Sequence, residues 1–218
     1  MTLILQGEID KLRRLISTLA THVEEAVRKA ATSILEGKPE LAISVIDRDQ
    51  EIDDMEVEVE EECLKILALH QPVAQDLRYI ITVLKMNNDL ERIGDLAKNC
   101  AQQSVHLAHQ KGLVIPYDLS GMAKKVQQML QKSLDALVES DSLLARAVLD
   151  ADDEVDAIDA QMYPEVQEAI LEHPEQMQSL VRLLKVAQNL ERIGDHATNI
   201  AEDVIYLIEG EIVRHRRK

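Results

Sequence analysis

"NLERIGDHATNIAE", residues 189–202, repeats with small changes the stretch "DLERIGDLAKNCAQ" at residues 89–102. Each copy sets a glutamate and an aspartate four residues apart, Glu91 with Asp95 and Glu191 with Asp195, beside a glycine, Gly94 or Gly194. Four residues is about one helical turn, so each pair shares one edge of a helix. Leu90, Met86, Ala97 and Ala101 mark the apolar stripe of the first copy. At 100° per residue, Glu91 and Asp95 fall roughly 100° and 140° from its centre, at the rim of the core. Leu190, Ile193, Ala197 and Ala201 place Glu191 and Asp195 at the same offset and in the same sense. Both glycines fall nearer the stripe, where a missing side chain lets a second helix approach closely. That closeness has to outweigh the ~1 kcal/mol that glycine costs inside a helix.

The repeat extends upstream. "DQEIDDME" (49–56) echoes "DDEVDAID" (152–159). Asp49 and Asp53 flank the stripe of Val45, Ile52, Val59 and Ile66, and Asp152 and Asp156 flank that of Val148, Val155 and Met162. Chain breakers come at regular intervals: "EGKPE" near 36–40, "HQP" at 70–72, "QKGLVIPYDLSG" at 110–121, "ESDS" at 139–142 and "EHPE" at 172–175. Apolar residues recur at three-and-four spacing between them, and no segment sustains period-2 alternation. The expectation is an all-α protein of six long helices in two tandem, similar three-helix bundles, residues 1–112 and 113–218. The first ERIGD lies in the third helix of its half, and so does the second. Pro164, inside the fifth helix, is expected to kink it.

Composition agrees with a helical, aliphatic interior. Hydrophobic residues make up 46% of 218, with no Phe or Trp and only four Tyr. The formal net charge of −16 opposes sequence-independent binding to nucleic acid, whose phosphates it would repel. The one basic run, "RHRRK" at 214–218, reads as the end of a helix. Cys63 and Cys100 fall on apolar stripes and read as small buried hydrophobes rather than a disulfide. Nothing resembles a signal peptide or a membrane span, so a soluble cytoplasmic protein is expected.

Acids at i and i+4 repel by a few tenths of a kcal/mol per pair. A single pair is an ordinary solvated face. Four pairs at matching positions in two halves point instead to metal sites built on Asp49, Asp53, Glu91 and Asp95, and on Asp152, Asp156, Glu191 and Asp195. An all-oxygen ligand set suits hard cations such as Mg²⁺, Mn²⁺, Ca²⁺ or iron. Asn99 and Asn199, each one turn beyond its aspartate, offer a carbonyl or a hydrogen bond. His196 projects away from the acidic edge and reads as a surface residue, and His106 and His109 have no partner at useful spacing. No Glu-x-x-His, HExxH, phosphate-binding glycine loop or nucleophilic triad occurs, so a non-enzyme is expected. A carboxylate-bridged metalloenzyme and a metal-storage bundle are the alternatives.

"PVAQDLR" (72–78), "MEVEVEEECLKIL" (55–67) and the doubled ERIGD, on a duplicated three-helix unit, resemble the PhoU family over essentially the whole chain. That resemblance implies paired three-helix bundles, often a homodimer, carrying metal clusters, iron among them, on the acidic motifs named above. It implies a cytoplasmic regulator that links the ATPase of a phosphate transporter, PstB, to the sensor histidine kinase PhoR. Such a regulator represses phosphate-starvation genes without touching DNA. The halves depart from each other: the first has Leu96 and Gln102 where the second has His196 and Glu202, and "HPEQMQS" stands where "PVAQDLR" would repeat. Two metal sites of unequal affinity are therefore expected, with the first-half loop the more family-typical contact surface.

Overall fold

A computed structural model describes residues 3–108, 110 and 112–213. The basic run 214–218 and His109 lie outside the described residues. The helices are α1 (Leu3–Leu35), α2 (Pro39–Asp47), α3 (Asp49–His70), α4 (Ala74–Leu107), α5 (Leu119–Glu139), α6 (Ser142–Glu172) and α7 (Met177–Glu209), with a 3₁₀ turn at Pro174–Gln176. No strand occurs among the described residues. The five breaker segments mark breaks between helices; four carry glycine or proline, and the fourth, at 139–142, turns at Ser140 in the left-handed conformation, φ 54°.

Local chemistry starts and stops these helices. The Asp118 carboxylate accepts from the Gly121 N–H at 2.8 Å and opens α5. Asp141 accepts from the N–H groups of Leu143 and Leu144 at 2.8 and 3.0 Å and opens α6. Such caps satisfy N–H groups that have no partner within the helix. Gly210, at φ 74°, closes α7 in the left-handed conformation that glycine adopts without strain.

The second helix of the first half is split. Arg48, at φ −98° and ψ 1°, separates α2 from α3, whereas its counterpart α6 is helical throughout and passes unbroken through Pro164. The split puts Asp49 in the first turn of α3, where a carboxylate is favoured by the helix dipole. Asp152 has no such end nearby.

The interior is aliphatic. Leu12, Ile16, Leu19, Ile66, Ile80, Met86, Leu90 and Ile93 are among the largest fully buried side chains, each contributing about 1.5–3 kcal/mol by leaving water. Cys63 and Cys100 are free and buried, and burial pushes both thiols up to about 12, leaving them unreactive.

The two halves join along α4 and α7, which pack extensively. Lys85 meets Asp203, Asp89 meets His196 and Asn199, and Gln103 meets Arg182. Rising numbers on one helix pair with falling numbers on the other, so α4 and α7 run antiparallel. The two ERIGD turns consequently fall near the middle of the crossing. The linker is tied to the same junction by Tyr117, whose hydroxyl donates to the Leu183 carbonyl at 2.6 Å.

Candidate metal centre

The rim positions read from the sequence hold. Glu91 and Asp95 on α4, and Glu191 on α7, are half-buried, while Asp195 is exposed. Asp49 and Asp152 are buried, at 7% and 8% exposure. Asp53 and Asp156 are half-buried.

The glycines allow the approach of α3 and α6 to different degrees. A Cβ on Gly94 would stand 3.1 Å from Ile52 Cγ2, tighter than ordinary packing. A Cβ on Gly194 would meet Met129, Val155 and Val126 at 3.7–3.9 Å, ordinary contact. Close approach therefore explains Gly94 and leaves Gly194 without a steric requirement.

In the first half the expected acids lie near enough to feel one another's charge. The Asp53 carboxyl is raised by burial and then by the charges of Asp49 and Asp95, against the pull of Lys98. Glu91 is raised by burial, with Asp95, Asp53 and Glu56 adding to the effect and Arg92 opposing it. In the second half Glu191 is pushed up to about 7, first by burial and then by Asp195, Asp159 and Asp156, with Arg192 opposing. These are the signatures of carboxylates crowded in a partly dry place.

Glu56 and Asp159 are ligand candidates that the acid-x-x-x-acid reading missed. Each lies three residues beyond Asp53 or Asp156, on the same helix edge, and each is raised mainly by burial. The signal was present in the repeat, since both echoing octets end on an acid. Asp159 Oδ1 is buried without a hydrogen-bond partner.

His196 behaves otherwise than expected. Asn199 donates from Nδ2 across the crossing to Asp89 Oδ1 at 3.3 Å. His196 is not a surface residue: it is 25% exposed, with Nδ1 2.8 Å from Asp89 Oδ1. The helical wheel placed it off the acidic edge but could not show α4 packed there. Asn99 and His106 are exposed.

The donor set fits a hard cation, because carboxylate oxygens predominate and one of them is buried without a partner. Among the described residues no three His, Cys, Asp or Glu side chains are gathered into a ready ligand set.

Comparison with known proteins places the fold. The model of the PhoU domain matches twice, over residues 16–104 and 119–204. The phosphate-specific transport system accessory protein PhoU homolog of Aquifex aeolicus is 38% identical over 209 residues, 96% of this chain and 95% of that one. The homolog from Pseudomonas aeruginosa is 36% identical over 213 residues, 96% and 87% of the two chains. The crystal structure of PhoU from Pseudomonas aeruginosa superposes with a TM-score of 0.90 at 35% identity, covering 94% of this chain and 99% of that one. That of the phosphate transport system regulatory protein PhoU from Streptococcus pneumoniae gives 0.85 at 27% identity, covering 96% and 99%. With the doubled acidic turn, the duplicated bundle and these full-length matches, the chain belongs to the PhoU family.

Proposed function

We propose that this chain is a cytoplasmic, non-enzymatic regulator of phosphate homeostasis that acts as an adaptor between a phosphate transporter and its signalling kinase. Under ample phosphate it restrains uptake and represses phosphate-starvation genes through protein contacts with a PstB-like ATPase and a PhoR-like histidine kinase, as a homodimer. The observation that carries the reading is the pair of acidic clusters at equivalent places in two halves of a PhoU-family fold. Relatives named as accessory proteins of the phosphate-specific transport system support it. Among the described residues no helix is long and apolar enough to cross a membrane, so contact with a transporter would be peripheral.

The clusters serve as cation sites. Asp53, Glu56, Glu91 and Asp95, with Asp49 behind them, would hold one metal centre. Asp156, Asp159, Glu191 and Asp195, with Asp152 behind them, would hold the other. Iron suits these oxygens, as do Mn²⁺ and Mg²⁺. A bound cation supplies the positive charge that offsets their repulsion.

The α3–α4 loop is the proposed partner surface. Gln71 and Ala74 both adopt left-handed backbone, at φ 45° and 51°, a strained choice for residues with side chains. Around them Leu69, Val73 and Leu77 expose 67%, 72% and 39% of their surface. Exposed apolar side chains beside a strained loop suit protein recognition.

A strain lacking this protein is expected to transcribe phosphate-scavenging genes in phosphate-rich medium, measured by reporter expression, and the wild-type copy is expected to restore repression. Normal repression in the deletion strain would overturn the adaptor reading.

A further inference from the structure

Helix α3 carries two apolar stripes. Ile52, Val59, Cys63 and Ile66 are buried where α3 packs on α1 and α4. Away from that junction stand Val57 and Leu64, 50% and 52% exposed, and the exposed Ala68. At 100° per residue these three fall within roughly 40° of one another, and roughly 150° round the helix from the buried stripe. A helix on the surface of a bundle ordinarily keeps that side polar, so the outer stripe gains nothing from this fold.

The outer stripe has acidic borders. Asp54 and Glu61 flank it on one side and Glu60 on the other, with Glu58 further round, all of them exposed. Acids this close along one helix repel one another. The one lysine of α3, Lys65, is drawn to Glu8 on α1 at 2.8 Å and to Glu62 at 3.1 Å. The equivalent helix of the second half, α6, has no such borders. Ala157, Gln161, Tyr163 and Pro164 stand there at the positions of Asp54, Glu58, Glu60 and Glu61, and Gln167 replaces Leu64. The bundle is built without this face in one half, so its form is not a requirement of the fold.

We infer that the outer face of α3 receives a basic amphipathic helix of a partner protein, its apolar side on Val57, Leu64 and Ala68 and its lysines or arginines on the bordering acids. The inference rests on the reading of the chain as an adaptor that works through protein contacts. It extends the α3–α4 loop surface, since Ala68 adjoins the exposed Leu69. From Val57 to Ala68 the stripe is roughly 16 Å long and takes about three turns of a partner helix. Charge selects this occupant. A second copy laid α3 against α3 would set acid on acid, and an anionic membrane would be repelled.

The test uses the full chain and a fluorescent synthetic helix of about 18 residues, with leucines at helical spacing and lysines on both flanks, read by anisotropy. A scrambled peptide of the same composition is expected to bind at least about tenfold more weakly. Val57→Ser with Leu64→Ser is expected to weaken binding of the ordered peptide about tenfold, and Glu58→Lys with Glu61→Lys at least as much. Glu168→Lys with Glu172→Lys, the same charge change on α6, is expected to move it less than about twofold. All these positions are exposed, and circular dichroism checks that each variant folds. No binding of the ordered peptide, equal binding of the scrambled one, or affinity unmoved by the α3 changes would overturn the inference. Self-association that Val57→Ser with Leu64→Ser abolishes in ultracentrifugation, without peptide binding, would also overturn it and assign the face to a second copy. In the deletion strain, a Val57→Ser, Leu64→Ser copy is expected to leave the phosphate-scavenging reporter derepressed. Full repression by that copy would overturn the docking face and leave the adaptor reading standing, whereas repression in the deletion strain itself would overturn the adaptor reading.

Discussion

In metal-free protein at pH 8, Glu191→Gln is expected to raise the unfolding free energy by about 1–2 kcal/mol. The folded chain holds the Glu191 carboxyl up at about 7, against an ordinary value of 4.5, first through burial and then through Asp195, Asp159 and Asp156. Between those values the folded state keeps a proton that the unfolded state has lost, so stability falls as pH rises. The penalty is absent below about pH 4.5, grows across the interval and is complete above about pH 7. A fully dry group shifted this far would be penalised by roughly 3 kcal/mol, and solvent screening at this half-buried rim lowers the figure. The amide removes the charge, so its benefit should appear at pH 8 and vanish near pH 4 in urea unfolding. With a saturating divalent cation the sign should reverse, because Glu191 then contributes binding energy that the amide lacks. A variant less stable than the parent at pH 8 in chelator would contradict the crowding of these acids.

Lys85→Ala is expected to lower stability by about 2 kcal/mol, a larger loss than an ordinary surface ion pair gives. Asp203, on α7, is almost fully buried, and its Oδ1 lies 3.2 Å from the Lys85 ammonium on α4. The same ammonium stands 5.5 Å from the centre of the Tyr206 ring. Removing the lysine weakens the compensation of a carboxylate that water reaches poorly. Replacing both groups at once, Lys85→Met with Asp203→Leu, is expected to recover most of the loss, since no buried charge is then left. Urea unfolding of the two single variants and the double variant measures the coupling. A single-variant loss below about 0.5 kcal/mol would mean that the pair contributes no more than an exposed one.

The helical architecture was legible because glycines and prolines mark most of its breaks, a Ser-Asp-Ser turn marks another, and one sentence of sequence is written twice. Arg48 escaped notice, since neither glycine nor proline stands there and the apolar stripe from Val45 to Ile52 runs on without a gap. The rim positions of Glu91, Asp95, Glu191 and Asp195 followed from the helical wheel alone. Glu56 and Asp159 were missed by searching at i+4 when i+3 shares the same edge. His196 was misplaced for a different reason: a wheel describes one helix, and Asp89 comes from another, 107 residues away in sequence. Lys98 lay in plain view inside the repeated stretch. Its effect became readable only once Asp49 was placed beside it.

The most direct test of the account is the metal content of the purified protein, measured by elemental analysis beside a variant carrying Glu91→Gln, Asp95→Asn, Glu191→Gln and Asp195→Asn. The unsubstituted chain is expected to carry iron, manganese or a similar hard ion that the folded variant has lost. Equal metal content in the two proteins would contradict the assignment of the repeated acidic turn as a pair of cation sites.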